Sequence, residues 1–204
     1  RNEISKNNNI ESISRNYLEF LSDSRFLQAL TSATLAYVVM AFLMTATPIS
    51  MHVIHNLSLE KTGLVIQFHV LSMFLPSLFT GNLIKKFGCS KIMYAGVLFY
   101  ILTIIFSLFD PNFFSYLIGL IFLGIGWNFL FVSGTSLLVT TYKPDEKFKA
   151  QGFNDLVVFS ATAVSSLSAG ILISLTSWKT VNLLCIPFLI LIIISIINAD
   201  RKNR

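Results

Sequence analysis

Three polar side chains inside apolar stretches of the sequence have the chemistry to bind a solute or to carry a proton. His69 can exchange a proton near neutral pH, and Asp155 is a carboxylate within a long apolar stretch. Asn128 can both donate and accept hydrogen bonds. Each also has a structural interpretation. His69 and Asn128 could join neighbouring helices, and Asp155 lies near the start of its stretch, where it could cap a helix.

Two other groups of residues favour no site, because each lacks a necessary partner. Ser133 or Ser136 could act as a nucleophile with His69 as its base, which would make an intramembrane enzyme. The sequence has no G-x-S-x-G elbow, and we place His69 and these serines toward opposite ends of their stretches. His52 and His55 could bind a metal, but two imidazoles without a third ligand are weak evidence. We therefore predict no catalytic residue, no metal and no cofactor.

Six long apolar stretches must position the polar side chains. Each is close to the roughly 20 residues that a helix needs to cross a bilayer, and they cover about 26–51, 63–84, 92–109, 113–142, 153–175 and 181–197. Of the 15 lysines and arginines, 13 lie before the first stretch or after the second, fourth and sixth stretches. Only Lys61 and Lys179 lie in the other gaps. Basic loops stay in the cytoplasm. The sequence therefore predicts an all-α integral protein of the inner (cell) membrane with both termini cytoplasmic.

The composition excludes several other classes of protein. Hydrophobic residues make up 54% of the chain and charged residues 12%, which is too apolar for a soluble domain. The net charge of +5 follows from the basic loops, and no basic face with interleaved aromatic residues indicates a nucleic-acid partner. We place Cys89 in a cytoplasmic loop and Cys185 in the last stretch, so we expect no disulfide.

The six stretches differ in polarity, and this difference predicts which of them line a cavity. The third and the sixth carry almost no strongly polar group and are expected at the periphery. The other four carry small and polar residues at helical spacing, which let helices pack closely or line a wet cavity. The predicted cavity-lining residues are Thr45, His69, Ser72, Asn128, Thr135 and Thr162. Trp127 could stack on a planar or cationic ligand, or serve packing alone.

The loop after the second stretch, GNLIKKFGCSK (Gly81–Lys91), resembles the motif G-x-L-x-D-R-x-G-R-K of the major facilitator superfamily. Lys85 stands where the family has an aspartate that helps to latch the cytoplasmic gate. The segments MTATPISM, HVLSMFLPSLFTG, GIGWNFLFVSGTSLL and QGFNDLVVF extend the resemblance over nearly the whole chain after residue 17. We assign a gating group to Gly81, Lys85, Lys86, Gly88, Lys91 and Asp155, in which Asp155 could pair with Lys85, Lys86 or Lys149.

The resemblance implies one half, the C-terminal one, of a twelve-helix fold built from two six-helix repeats. Its expected partners are the lipid bilayer, a small-molecule solute and an N-terminal six-helix half of the same protein. Residues 1–25 would be a cytoplasmic linker, 26–198 the bundle and 199–204 a cytoplasmic tail. Within the linker, Tyr17–Phe26 is either a short surface helix or the entry to the first span, capped by Ser22 or Asp23. Because the sequence begins with Arg1 and not Met, we expect a piece of a longer or processed protein.

The implied function is secondary active transport of a small organic solute by alternating access, with efflux as one candidate direction. The nucleotide-binding motif G-x(4)-G-K-[ST] does not occur, so the energy for transport would come from an ion gradient or from the gradient of the solute itself. Two alternatives remain beside the enzyme: a six-helix membrane scaffold, and a half-size transporter that works as a dimer.

Overall fold

The computed structural model describes residues 15–202, and these residues are almost entirely helical. Residues 1–14 of the predicted linker and 203–204 of the predicted tail lie outside the described range. The α-helices are α1 (Tyr17–Ser22), α2 (Ser24–Pro48), α3 (Leu59–Phe74), α4 (Ser77–Phe87), α5 (Cys89–Ser107), α6 (Phe113–Leu138), α7 (Lys147–Leu175), α8 (Trp178–Leu183) and α9 (Ile186–Lys202). A π-helical turn, Ile49–Ile54, extends α2, and a short 3-10 turn, Pro144–Glu146, precedes α7.

Six segments are long and apolar enough to cross a bilayer, which confirms the predicted all-α membrane fold. They are Ser24–Ile54, Leu59–Phe87, Cys89–Ser107, Phe113–Leu138, Pro144–Leu175 and Trp178–Lys202. The fifth begins well before the expected residue 153. Lys147 and Lys149 lie in its first turns, where long basic side chains can reach the membrane surface from a helix.

The two interpretations of Tyr17–Phe26 both describe part of what is observed. Asn16 caps α1 with a capping box, so the short helix exists. The helix ends at Ser22, and the carboxylate of Asp23 then accepts hydrogen bonds from the backbone amides of Arg25 and Phe26 at the start of α2. The chain therefore turns from a separate short helix into a capped span.

The long helices form a layer in the order α3–α6–α2–α7, with α5 packed behind α6 and α9 packed behind α2. Hydrogen bonds cross between neighbours: Ser32 donates to the carbonyl of Leu130, and Ser165 donates to that of Val38. Glycines let α6 approach its neighbours closely, since a Cβ at Gly134 would lie 3.0 Å from the backbone of Ala29. The third and sixth spans thus lie behind the layer that the four more polar spans form.

The ends of the bundle differ in charge. At one end the start of α2, the start of α5 and the end of α9 meet, because Asp200 accepts hydrogen bonds from both Arg25 (3.2 Å) and Ser90 (2.8 Å). Arg15 pairs with Glu146 at the same end. We call this the basic end. At the opposite end Tyr116 contacts the side chain of Ser50, 2.6 Å away, within the π-helical turn.

Candidate solute site

Five aromatic side chains from four helices meet on the layer. The ring centroid of Tyr37 lies 5.2 Å from that of Trp127 and 4.9 Å from that of Phe131, with the rings edge-on. Trp127 and Phe131 stack with centroids 5.1 Å apart. Phe74 of α3 lies 6.1 Å from Trp127, and Phe159 of α7 lies 6.1 Å from Tyr37. We call this group the aromatic wall.

The aromatic wall has a buried centre and two exposed flanks. Trp127 is only 4% exposed, whereas Phe74 and Phe159, on the outer helices of the layer, are each about 60% exposed. Aromatic rings attract one another in stacked and edge-on arrangements, so a flat solute could extend the existing stack. The wall therefore consists of a buried aromatic centre that ends in two exposed rings.

The indole nitrogen of Trp127 adds a polar group to this surface. Within residues 15–202 its Nε1 is buried and has no hydrogen-bond partner. A buried donor left without an acceptor costs about 1–3 kcal/mol. An acceptor atom that reached this buried nitrogen would remove that cost.

His69 and Ser72 lie in the seam between α3 and α6, away from the wall. The Nδ1 of His69 lies 2.8 Å from the carbonyl oxygen of Leu120, to which it donates. Ser72 donates to the carbonyl of His69 at 2.7 Å. Both side chains are buried, and the Nε2 of His69 has no partner among the described residues. In this conformation His69 therefore joins α3 to α6, whereas Ser72 bonds within α3 and packs against Gly124 of α6.

Asn128 supports the break between α3 and α4. Its Nδ2 donates to the carbonyl of Met73 (2.7 Å) and to Ser77 (2.6 Å), and its Oδ1 accepts from Thr80 at 2.6 Å. The helix breaks here because Pro76 has no N–H to continue the hydrogen-bond ladder. The side-chain amide of Asn128 on α6 satisfies the carbonyl of Met73 that the break leaves free.

The three predicted threonines border the aromatic wall. Thr135 lies one turn from Phe131 on α6, and Thr162 lies one turn from Phe159 on α7, in both cases half-buried. Their hydroxyls donate to the carbonyl one turn back in their own helices. Thr45 is also half-buried and lies about two turns beyond Tyr37 on α2.

The predicted gating group is divided between two edges of the layer. Gly88 makes the turn from α4 to α5 with a φ of 85°, a conformation that suits glycine. Gly81, Lys85, Lys86 and Lys91 are exposed around it. Asp155 is exposed on α7, where it accepts from the side chain of Asn154 at 3.1 Å. No ion pair among residues 15–202 joins Asp155 to Lys85, Lys86 or Lys149.

The arrangement needed for serine hydrolysis is not present in the described residues. His69 contacts Leu120, and Ser133 lies about three and a half turns farther along α6, roughly 20 Å away. A nucleophile and its base must lie within hydrogen-bond distance. At this distance Ser133 and His69 cannot act together as the nucleophile and the base that the enzyme hypothesis requires.

The sequence indicated only part of the aromatic wall. Trp127 has the ring to stack on a planar ligand, and the sequence predicts that role or packing alone. Phe74, Phe131 and Phe159 were not singled out, because the chain has 19 phenylalanines and most positions give no hint of their surroundings. The one available signal is the four-residue spacing of Trp127 and Phe131, which places both rings on one face of α6.

Comparisons with known proteins agree with this architecture. The family model described as Major Facilitator Superfamily matches residues 29–204. The riboflavin transporter RfnT of Brucella anthropi is 41% identical over 181 residues, which is 88% of this chain and 45% of the relative. No solved structure is significantly similar to the chain.

Two further relatives, both from Bacillus subtilis, carry the description of uncharacterised MFS-type transporters. YdeG is 32% identical over 156 residues, covering 76% of this chain and 36% of the relative. YddS is 32% identical over 152 residues, covering 73% of this chain and 34% of the relative. The chain thus spans less than half the length of each of the three relatives.

Proposed function

Because the chain belongs to the major facilitator superfamily, we propose that it forms one six-helix half of a secondary transporter that works by alternating access. An N-terminal half of the same protein would complete the solute path. The exposed faces of α3, α4 and α7 suit such a partner, since their large apolar side chains include Leu71, Leu78 and Leu167. The family is one of transporters, which disfavours the enzyme and scaffold alternatives.

We propose that the solute is riboflavin or a compound with a similarly flat ring system. The aromatic wall is the observation that carries this proposal, because its rings could stack against a planar ligand. The relative that is 41% identical is a riboflavin transporter, which supports the same class of solute. The isoalloxazine ring of riboflavin is flat, aromatic and bears carbonyl oxygens.

The polar groups around the wall fit the remainder of such a solute. The Nε1 of Trp127 could donate to a ring carbonyl oxygen. The hydroxyls of Thr135 and Thr162 border the wall and could exchange their intrahelical hydrogen bonds for contacts with the ribityl hydroxyls. The site would thus combine stacking at its centre with a polar rim.

We propose that the basic end faces the cytoplasm, as the positive-inside rule requires. Lys85, Lys86 and Lys91 would then lie at the cytoplasmic gate. Asp155 lies one turn from Phe159 on the same side of α7, between the wall and the basic end. In the complete transporter this carboxylate is placed to pair with a basic group when the cytoplasmic gate closes.

A transport assay on the full-length protein tests the solute. The gene would be expressed in bacteria that cannot synthesise riboflavin, and both uptake and efflux of riboflavin would be measured. We expect riboflavin flux above that of an empty vector, with at least a tenfold loss for Trp127→Leu and for Tyr37→Leu. Phe114→Leu is the matched control, since Phe114 is an exposed ring at the opposite end of α6. Unchanged flux in both wall variants would remove the wall from the solute path.

Tryptophan fluorescence tests binding separately from transport. This chain has two tryptophans, and Trp178 packs against Tyr116 at the opposite end from the basic end. Riboflavin stacked on the wall should quench the emission of Trp127, so Trp178→Phe should retain the quenching and Trp127→Phe should lose it. Equal quenching in both variants would contradict binding at the wall.

A further inference from the structure

An apolar groove runs along α2 between α7 and α9. It consists of two adjoining cavities of about 780 and 390 Å³, which share Thr34, Leu35 and Val157 in their linings. The part of α2 that lies along the groove extends from Leu27 to Phe42, roughly 22 Å of helix. Since the hydrocarbon core of a bilayer is about 30 Å thick, the groove is longer than one leaflet of that core.

The groove and the aromatic wall lie on neighbouring sides of α7. Val157, Ala161 and Val164 line the groove, whereas Phe159 belongs to the wall. On the other side of the groove, Leu191 and Ile194 of α9 are each about half exposed. The groove therefore opens sideways between two membrane spans, where acyl chains and not water surround a protein. An empty apolar groove would lose dispersion contacts along its length.

One end of the groove is polar and positively charged. The residues of α9 in its lining follow helical spacing and end in Ser195 and Asn198. Arg201 and Lys202 lie one turn beyond Asn198 on the same side of α9, and both are exposed at the basic end. Basic side chains between transmembrane helices at the membrane surface attract anionic lipid headgroups.

We propose that this groove binds an anionic phospholipid. One acyl chain lies along α2 between α7 and α9, and the phosphate contacts Arg201 and Lys202, with the amide of Asn198 beside it. The apolar length of the groove suits an acyl chain, and the two cations at its basic end suit the negative charge of the headgroup. The proposal does not depend on which solute the aromatic wall binds.

Native mass spectrometry of the full-length protein, supplied with phosphatidylglycerol or phosphatidylcholine, tests the headgroup. We expect the protein to retain phosphatidylglycerol preferentially. The double variant Arg201→Gln/Lys202→Gln should bind it more weakly, by about fivefold for each charge removed. Lys85→Gln/Lys86→Gln is the matched control, because it removes two charges on α4, which does not line the groove. Equal loss in the two double variants, or equal retention of both lipids, would overturn the proposal.

Filling the groove tests the acyl chain. Val157→Phe, or the milder Ser160→Leu, should reduce retention of phosphatidylglycerol several-fold, and the second variant serves if the first does not fold. Full retention of phosphatidylglycerol in a folded filling variant would show that the chain lies elsewhere. If such a variant kept the lipid but lost riboflavin transport, the groove would belong to the solute path and the lipid proposal would fail.

Discussion

The guanidinium of Arg15 donates two hydrogen bonds of 2.9 Å to the carboxylate of Glu146, one from Nε and one from Nη2. The same Nη2 also donates to the carbonyl of Thr141 at 2.6 Å, and Lys149 donates to the carbonyl of Arg15. The hydrogen bond to Glu146 raises the pKa of Arg15. This pair fixes the segment before α1 to the turn that precedes α7 at the basic end.

Removing the cation should destabilise the protein. The side chain of Glu146 is only 2% exposed, so Arg15→Ala leaves a buried carboxylate without its partner. We expect a loss of about 3 kcal/mol in the free energy of unfolding. Thermal unfolding of the purified full-length protein measures it, with Lys147→Ala as the control because Lys147 is exposed beside the same turn. A melting temperature equal to that of the control would show that water replaces the guanidinium at little cost.

Asn128→Leu separates a structural role of this amide from a role in solute binding. The variant keeps the volume but removes the donor to the carbonyl of Met73 and to the hydroxyl of Ser77, while Thr80 can still donate to the carbonyl of Pro76. We expect a stability loss of about 2–3 kcal/mol, because buried polar groups lose hydrogen bonds. Thermal unfolding and riboflavin flux are measured together, with Thr135→Val as a comparison. A loss of flux at unchanged stability would instead place Asn128 in contact with the solute.

Gly124→Ala should force α3 and α6 apart. The added Cβ would lie 2.7 Å from the carbonyl oxygen of His69, and this backbone atom cannot rotate away. Overpacking of this kind costs about 1–3 kcal/mol. Gly170→Ala is the matched control, since no heavy atom lies within 4 Å of its added Cβ. The yield of monodisperse protein on size-exclusion chromatography should fall for the first variant and hold for the second. Equal yields would mean that the seam between α3 and α6 is looser than the geometry indicates.

Cysteine labelling from outside the cell tests the orientation of the bundle. In a background without Cys89 and Cys185, a cysteine at Lys179 should react with a membrane-impermeant maleimide, and one at Lys86 should react only after the membrane is opened. The expectation follows from the positive-inside rule, because Lys86 belongs to the basic end. External labelling at Lys86 would reverse the proposed orientation.

The sequence predicted the number of spans because hydrophobic length and basic loops act locally along the chain. The break near Pro76 was foreseeable for the same reason, since proline acts on its own helix. The hydrogen-bond partner of Asn128 could not be predicted in this way, because the contact with Met73 depends on how α6 packs against α3. The pairing of Arg15 with Glu146 joins residues far apart in the chain, and no local pattern indicates such a contact.

The candidate site shows the same difference between what local sequence patterns indicate and what depends on contacts between helices. Polar residues stand out because they are rare inside apolar stretches, and the side chains of His69 and Asn128 hydrogen-bond α3 and α4 to α6. The rings that make the proposed binding surface are common in this sequence, so their grouping could be recognised only in three dimensions. Rarity in the sequence therefore points to residues that bond one helix to another, whereas the grouping of common aromatic residues appears only in the structure.

The close glycine contacts of α6 have a mechanical consequence. Gly124 fixes α6 against α3, and Gly134 fixes it against α2. The fifth span, Pro144–Leu175, has no such seam in the described residues and is the least buried of the six. These first four spans are therefore held together by direct backbone contact, whereas side chains hold α7. The hydroxyl of Ser165 bonds α7 to the carbonyl of Val38 in α2, and the Arg15–Glu146 pair ties the turn before α7 to the segment before α1. Substitution of these side chains should loosen α7 from the bundle and leave the packing of the other helices intact.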